Sequence, residues 1–299
     1  MTMHTLLKAS QIIGRGLAQQ ACRIELKQMG GDGVFWRREA SSLGGGMWCS
    51  AQDWQKWVLM LTEIPEPDNV PREFLACVTT AMLETDVPWL LSQLELDPDT
   101  CSLLPQIYPV LTFTHPEVGD ISCVLIDWPQ EKWQSIVENW SPFAGQSADV
   151  SVSLVAGFSQ QTADVPQLPP IGSGIWLDGD VRIERGEALL WCNGPLAKVT
   201  LVDENQGGKT SFMIEAVCTD MKFMYSPVLA EIATVRLPLS HLGGIMQGEK
   251  LTGLLALNGE VRLCVQNDGK SNLLGTASLL RSGTELLAQI NSTHSNVEN

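Results

Sequence analysis

The chain has 299 residues, 44% apolar and 18% charged, with a formal net charge of −15. That length serves two or three domains of ordinary size, and the composition belongs to folded rather than disordered chains. So acidic a chain is repelled by phosphates, which argues against nucleic-acid binding.

No stretch approaches the roughly 20 uninterrupted apolar residues of a membrane helix. The N-terminus lacks a basic segment, apolar core and small-residue cleavage site. The expectation is a cytoplasmic protein that meets a membrane only through partners. Eight scattered cysteines with no C-x-x-C pair, several inside apolar runs, read as buried free thiols. The charge is uneven: residues 45–145 hold three Lys/Arg against fifteen Asp/Glu. This stretch is either a solubilising surface or one that docks a basic partner.

In chain order, Leu6, Leu7, Ile12, Ile13, Leu17 and Ala21 predict a helix from about Thr5 to Met29. Glycine-rich breaks are expected at Gly30–Gly33 and Gly44–Gly46. Helices are predicted over Ala51–Thr62 and Arg72–Glu84, the second led by Pro71. Strands are expected at Ile107–Phe113 and Ile121–Ile126, then a helix over Trp128–Trp140 capped by Asp127. Eight of ten tryptophans precede residue 145, which predicts an α/β domain with its own core, or else an aromatic docking patch. Ser141–Asp149 reads as a boundary, and Gln160–Gly174 as an exposed proline loop.

The last part of the chain reads as one β-module written twice, over about Val150–Glu215 and Ala230–Ile290. The first copy runs Val150–Val155, Gly179-Asp180, Ala188–Trp191, Asn193-Gly194, Leu196–Leu201 and Ser211–Ile214. The second runs Glu231–Leu239, a short helix His241–Met246, Gly248-Glu249, Val261–Val265, Asn267–Gly269, Leu274–Leu280 and Glu285–Ile290. Thr219–Val228 connects them, with Phe223 and Tyr225 expected to pack on a neighbour. A module of this size struggles to bury enough apolar surface alone, so strand-exchanged or face-to-face pairing is expected.

Catalytic chemistry is sparse. His4, His115, His241 and His294 are isolated, with no partner at metal-binding spacing. Gly208-Lys-Thr210 and Gly269-Lys-Ser271 lack the earlier glycine of a phosphate loop. No cofactor and no catalytic residue is implied. Glu66-Pro-Asp-Asn69 has the spacing of a phosphatase pair, but its prolines preclude the regular helix that would put both side chains on one face.

The order and duplication of the modules, with Leu237-Pro-Leu239, Val261-x-Leu-x-Val265 and the terminal Leu286-x-x-x-Ile290, resemble the SPOA module. Two such modules behind a divergent N-terminal domain resemble the cytoplasmic ring, or sorting-platform, protein of type III secretion systems, the SctQ family. The resemblance implies an α+β chain with an N-terminal α+β domain (1–145), SPOA module 1 (146–217) and SPOA module 2 (228–299). The modules are expected as small β-barrel-like units packed as an intertwined pseudo-dimer.

It also implies a non-enzymatic scaffold at the inner-membrane base of the apparatus. Its partners would be the stator that regulates the ATPase (SctL-like), an adaptor (SctK-like), chaperone–effector complexes, and its own C-terminal fragment if internally translated from Met213, Met221 or Met224. The partner-binding patch of flagellar relatives maps to Val181 and Ile183 in module 1 and Leu251 and Leu254 in module 2; the alternative is that these four are ordinary core. A flagellar motor switch protein is the alternative reading of the whole.

Overall fold

A computed structural model describes residues 3–38, 45–84, 87–128, 130–143, 145, 147–161, 167–204, 209–218, 223–267 and 270–294. The chain divides into two compact units, Thr5–Ala148 and Asp149–Asn299.

The first unit opens with α1 (Met3–Ile13), β1 (Leu17–Gln19), β2 (Cys22–Arg37) and β3 (Gly46–Ser50). It continues with α2 (Ala51–Thr62), α3 (Arg72–Glu84), α4 (Pro88–Leu91), β4 (Asp99–His115), β5 (Gly119–Ile126), α5 (Gln130–Val137) and β6 (Ser141–Pro142). The strands lie in the order β3-β5-β4-β2-β1-β6, and a further β3–β2 pairing closes the first four into a ring. Every pairing is antiparallel, so the domain is α+β, as the resemblance implies, and not the α/β domain read from its tryptophans, since parallel sheets need crossover helices.

The long N-terminal helix stops at Ile13, because Gly14 and Gly16 follow at φ +57° and +148°. Beyond them Cys22, Ile24 and Leu26 are buried at every second position, the period of a strand. The glycines of 30–33 are no break either. They lie within β2, where a Cβ on Gly30 would stand 2.5 Å from Pro105 Cα and one on Gly33 2.1 Å from the Cys49 carbonyl. Glycine there admits a neighbouring backbone. Gly46 opens β3 for the same reason; Gly44 lies outside the described residues.

Helices α2 and α3 keep the bounds their sequence predicts. Ser50 caps α2, its Oγ accepting from Asp53 N at 3.1 Å. The helix expected over Trp128–Trp140 is the shorter α5. Trp36, Trp48, Trp54, Trp57, Trp128 and Trp140 are all buried, which decides for core over patch. Their indole N–H groups find acceptors: Trp36 on Thr79 Oγ1 (2.9 Å), Trp48 on the Cys101 carbonyl (3.1 Å), Trp128 on the Gly46 carbonyl (2.8 Å).

The second unit comprises β7 (Asp149–Ser159), β8 (Gly174–Leu177), β9 (Glu187–Trp191), β10 (Pro195–Glu204), β11 (Lys209–Val217), β12 (Val228–Pro238), α6 (Leu239–Gly243), β13 (Lys250–Asn267), β14 (Lys270–Ser282) and β15 (Glu285–Thr293). The order is β11-β10-β9-β7-β12-β13-β14-β15-β8, with β11 also paired to β13. Six strands thus close a ring through β7, β12 and the first part of β13. On the other side β8 returns to β7, Phe158 and Asp178 exchanging both backbone hydrogen bonds (3.1 and 2.7 Å).

The pairings across the halves are reciprocal. β8, from the first half, pairs with the last strand of the second, Gly174↔Gln289 through Leu177↔Leu286. The start of β13, from the second half, pairs with the last strand of the first, Met213↔Lys250 through Lys209↔Leu254. The first strands of the halves, β7 and β12, run antiparallel side by side.

The glycine turn entering each exchanged strand makes the same two bonds. Gly172 N donates to the Ile290 carbonyl and Ile290 N to the Ser173 carbonyl, both at 2.8 Å. Gly248 N donates to the Ile214 carbonyl at 2.8 Å, and Ile214 N to the Glu249 carbonyl at 2.9 Å. The counterpart of Gly248-Glu249 is therefore Gly172-Ser173, not Gly179-Asp180 as the sequence pattern implied. Gly172 and Gly248 share φ values of +86° and +83° with open space where a Cβ would be; Gly179 (φ +124°) instead follows the exchanged strand and lies against Leu189.

Strands β8 and Lys250–Glu260 were not foreseen, and the short helix begins two residues early, directly after Pro238. The turn positions Asp268 and Gly269, the loop residue Pro166 and Met221 lie outside the described residues. Of the connector's aromatics, Phe223 packs against Phe158 and Trp191, with ring centroids 5.4 and 5.6 Å apart.

Candidate functional site

The four residues proposed for partner binding fall in different surroundings. Val181 is 5% exposed and belongs to a core cluster with Phe158, Leu189 and Trp191. Ile183 opens a single 3-10 turn and is half-buried against that cluster and its neighbour. Leu251 is 1% exposed and pairs with buried Phe212. Leu254 alone lies open, 45% exposed, on the exchanged part of β13 opposite Lys209 and Arg236. Because Gly179-Asp180 and Gly248-Glu249 are not counterparts, the two pairs do not occupy matching positions in the halves.

The exposed apolar side chains that the sequence reading passed over lie on the exchanged strands and their neighbours. Trp176 of β8 is 55% exposed, and it is cross-strand from Leu287, itself opposite Leu280 of β14. These three form a row across three strands, on the opposite face from Ile175, Leu279 and Leu286, which pack on the core. Leu257 of β13 is 76% exposed. The signal was a run of three large apolar residues, Ile175-Trp-Leu177, too short to be read as a strand.

A buried polar network sits where β7, β12 and β13 meet. Glu231, 1% exposed, accepts from Ser153 Oγ (2.5 Å), Arg262 Nη1 (3.1 Å) and Asn258 Nδ2 (3.3 Å). Gln266 Nε2 donates in turn to Ser153 Oγ at 2.8 Å. Each lone pair used here answers the cost of burying the carboxylate.

No group of three or more His, Cys, Asp or Glu side chains able to hold a metal occurs among the described residues. Five cysteines, Cys22, Cys49, Cys123, Cys192 and Cys264, are buried as expected, but Cys77 and Cys101 are exposed. Burial pushes the Cys192 thiol up to about 12 and that of Cys264 to about 11, so both stay protonated. Glu66 and Asn69 do meet, contrary to expectation. One 3-10 turn (Pro67–Asn69) brings Asn69 Nδ2 to Glu66 Oε2 at 3.0 Å, so the pair satisfies itself at an exposed turn. No helix among the described residues is long and apolar enough to cross a membrane.

Fold and candidate site together are barrels closed by exchanged strands, with one apolar row and Leu254 and Leu257 exposed on them. Residues 3–136 match the family described as SepQ protein N-terminal domain. The matched stretch corresponds to a domain of the type III secretion SctQ family. No curated protein matches the chain. The family is one of structural secretion components. It enters through the half of the sequence that offered least resemblance, independently of the duplicated modules.

Proposed function

We propose that the chain is a non-enzymatic scaffold of the cytoplasmic sorting platform of a type III secretion system. Residues 149–299 are two SPOA modules paired as an intertwined pseudo-dimer. That pair binds the stator that regulates the ATPase, the first unit engages the adaptor, and chaperone–effector complexes gather on the assembly.

The observation that carries this reading is the reciprocal exchange, in which Gly172 and Gly248 tie each half's second strand to the other half's last. Two modules that complete one another spend their strands on closing barrels, and they offer an apolar row on paired strands. Leu254 and the Trp176–Leu287–Leu280 row are the contacts we assign to partners; Val181 and Leu251 are core and Ile183 is half-buried.

Co-expression of the full chain with the stator protein of a type III secretion system from the same genome tests the assignment. Co-elution at micromolar concentration is expected, weakened by Trp176→Ser or Leu254→Ser. Separate elution of the wild-type proteins would overturn it.

A further inference from the structure

Helices α2 and α3 leave an apolar groove of about 390 Å³ on the first unit, walled by Leu61, Ile64, Val70, Phe74, Cys77 and Ala81. Phe74 is 55% exposed and Leu61 40%. The inner face of α3 is Val78, Thr79, Met82 and Leu83. Phe74, Cys77 and Ala81 follow at i, i+3 and i+7 and are exposed. A helix apolar on both faces is one that is covered on both.

The groove is already formed. Pro65, Pro67 and Pro71 stiffen the α2–α3 connection, Gln55 Nε2 donates to the Pro65 carbonyl at 2.8 Å, and Val70 N donates to the Pro67 carbonyl at 3.0 Å. Docking there needs little ordering of the receptor.

Charge identifies the occupant. In sequence the groove's lining is flanked by Glu63, Glu73 and Glu84, all exposed, with Arg72 the one cation among the described residues 63–84, while Glu66 and Asp68 line a separate hollow with Asp32. Arg72 is already engaged with Asp97 (3.2 Å) and Asp99 (3.7 Å). A second copy of this chain would bring the same negative rim to an isologous contact, and an anionic membrane would be repelled. An apolar stripe flanked by Lys and Arg fits both floor and rim, and a helix laid in a groove presents such a stripe at i, i+3, i+4 and i+7.

We propose that the α2–α3 groove docks a basic amphipathic helix from a partner protein, its apolar side chains on Phe74 and Leu61 and its cations on the surrounding carboxylates. This rests on the scaffold reading for the existence of a partner, but it concerns the first unit and not the strands of the second.

The test uses the full chain and three fluorescein-labelled peptides of about five helical turns: an amphipathic Leu/Lys helix, its Leu/Glu counterpart, and a scrambled Leu/Lys sequence. Fluorescence anisotropy should show the Leu/Lys helix binding at least about tenfold more tightly than either control. Phe74→Ser should remove that margin while the unfolding midpoint and stator co-elution stay unchanged. Ala81→Lys, at an exposed position, should do the same by repulsion and serves if Phe74→Ser does not fold. Equal binding of all three peptides, or binding indifferent to both substitutions, would overturn the proposal. So would a dimer of the chain alone, seen by sedimentation velocity and abolished by Phe74→Ser. If the stator fails to co-elute but the peptide behaves as expected, the scaffold reading falls and the groove stands.

Discussion

Gly248 and Gly172 hold positive φ with no atom within 4 Å of an added Cβ, so a side chain there costs conformational energy and nothing else. Gly248→Ala should lower stability by about 1–2 kcal/mol, the cost of a left-handed residue with a Cβ, read from the urea midpoint at constant slope. Gly275→Ala should cost more, because its Cβ would stand 2.1 Å from the Ser292 carbonyl. Such positions are only half legible in a sequence. Glycine–acid pairs mark turns, but Gly179-Asp180 and Gly172-Ser173 compete for one role, and hydrogen bonds to a distant isoleucine decide between them. Val181 and Leu251 mislead for a related reason: apolar side chains beside a turn look alike until the strand that covers them is known. Glu231 reads as a surface residue of an alternating strand, and only the partners Ser153, Asn258 and Arg262 explain its burial.

At the scale of elements, what local chemistry decides was read correctly. Helices α2 and α3 are bounded by a serine cap and a proline, and β5, β9 and β12 are dense in apolar residues. The elements that escaped are those whose partners lie far along the chain. Strand β8 has four residues and pairs with β15; the opening of β13 pairs with β11. The N-terminal segment failed because apolar residues at 12, 13, 17 and 21 fit a helical period across two glycines that end the helix. The exchange carries a prediction. Ile214 and Ile290 are each 1% exposed at the ends of the exchanged contacts, one in each half. Ile214→Ala and Ile290→Ala should each cost about 2–5 kcal/mol. Both should shift the same transition in the second unit, followed by hydrogen exchange across 149–294, because neither half is a separate cooperative body. Two transitions, each moved by one substitution only, would contradict the exchange.

For the whole molecule the acidic balance sets the pH response. The Thr114 hydroxyl and then Arg23 hold the Asp120 carboxyl below its ordinary range. Lys198, 2.8 Å from Glu187, does the same there. Both groups bind protons less readily folded than unfolded, so their stabilisation is fully present above the ordinary carboxylate pKa and is lost as pH falls through the folded values. The unfolding midpoint should be level from neutral pH down to about pH 5 and decline below about pH 4. Lys198→Met should make the acid decline shallower, measured by thermal scans at fixed ionic strength.

Gly174 finds its strand partner at Gln289, so synthesis on the ribosome has a fixed consequence. The nascent first half emerges with β8 lacking its neighbour in β15, and it waits until Glu285–Thr293 has been made before its barrel can shut. Contacts so distant in order of translation make folding slow and leave apolar edges open meanwhile. Shortening the chain from its C-terminal end into β15 therefore damages residues translated long before the cut.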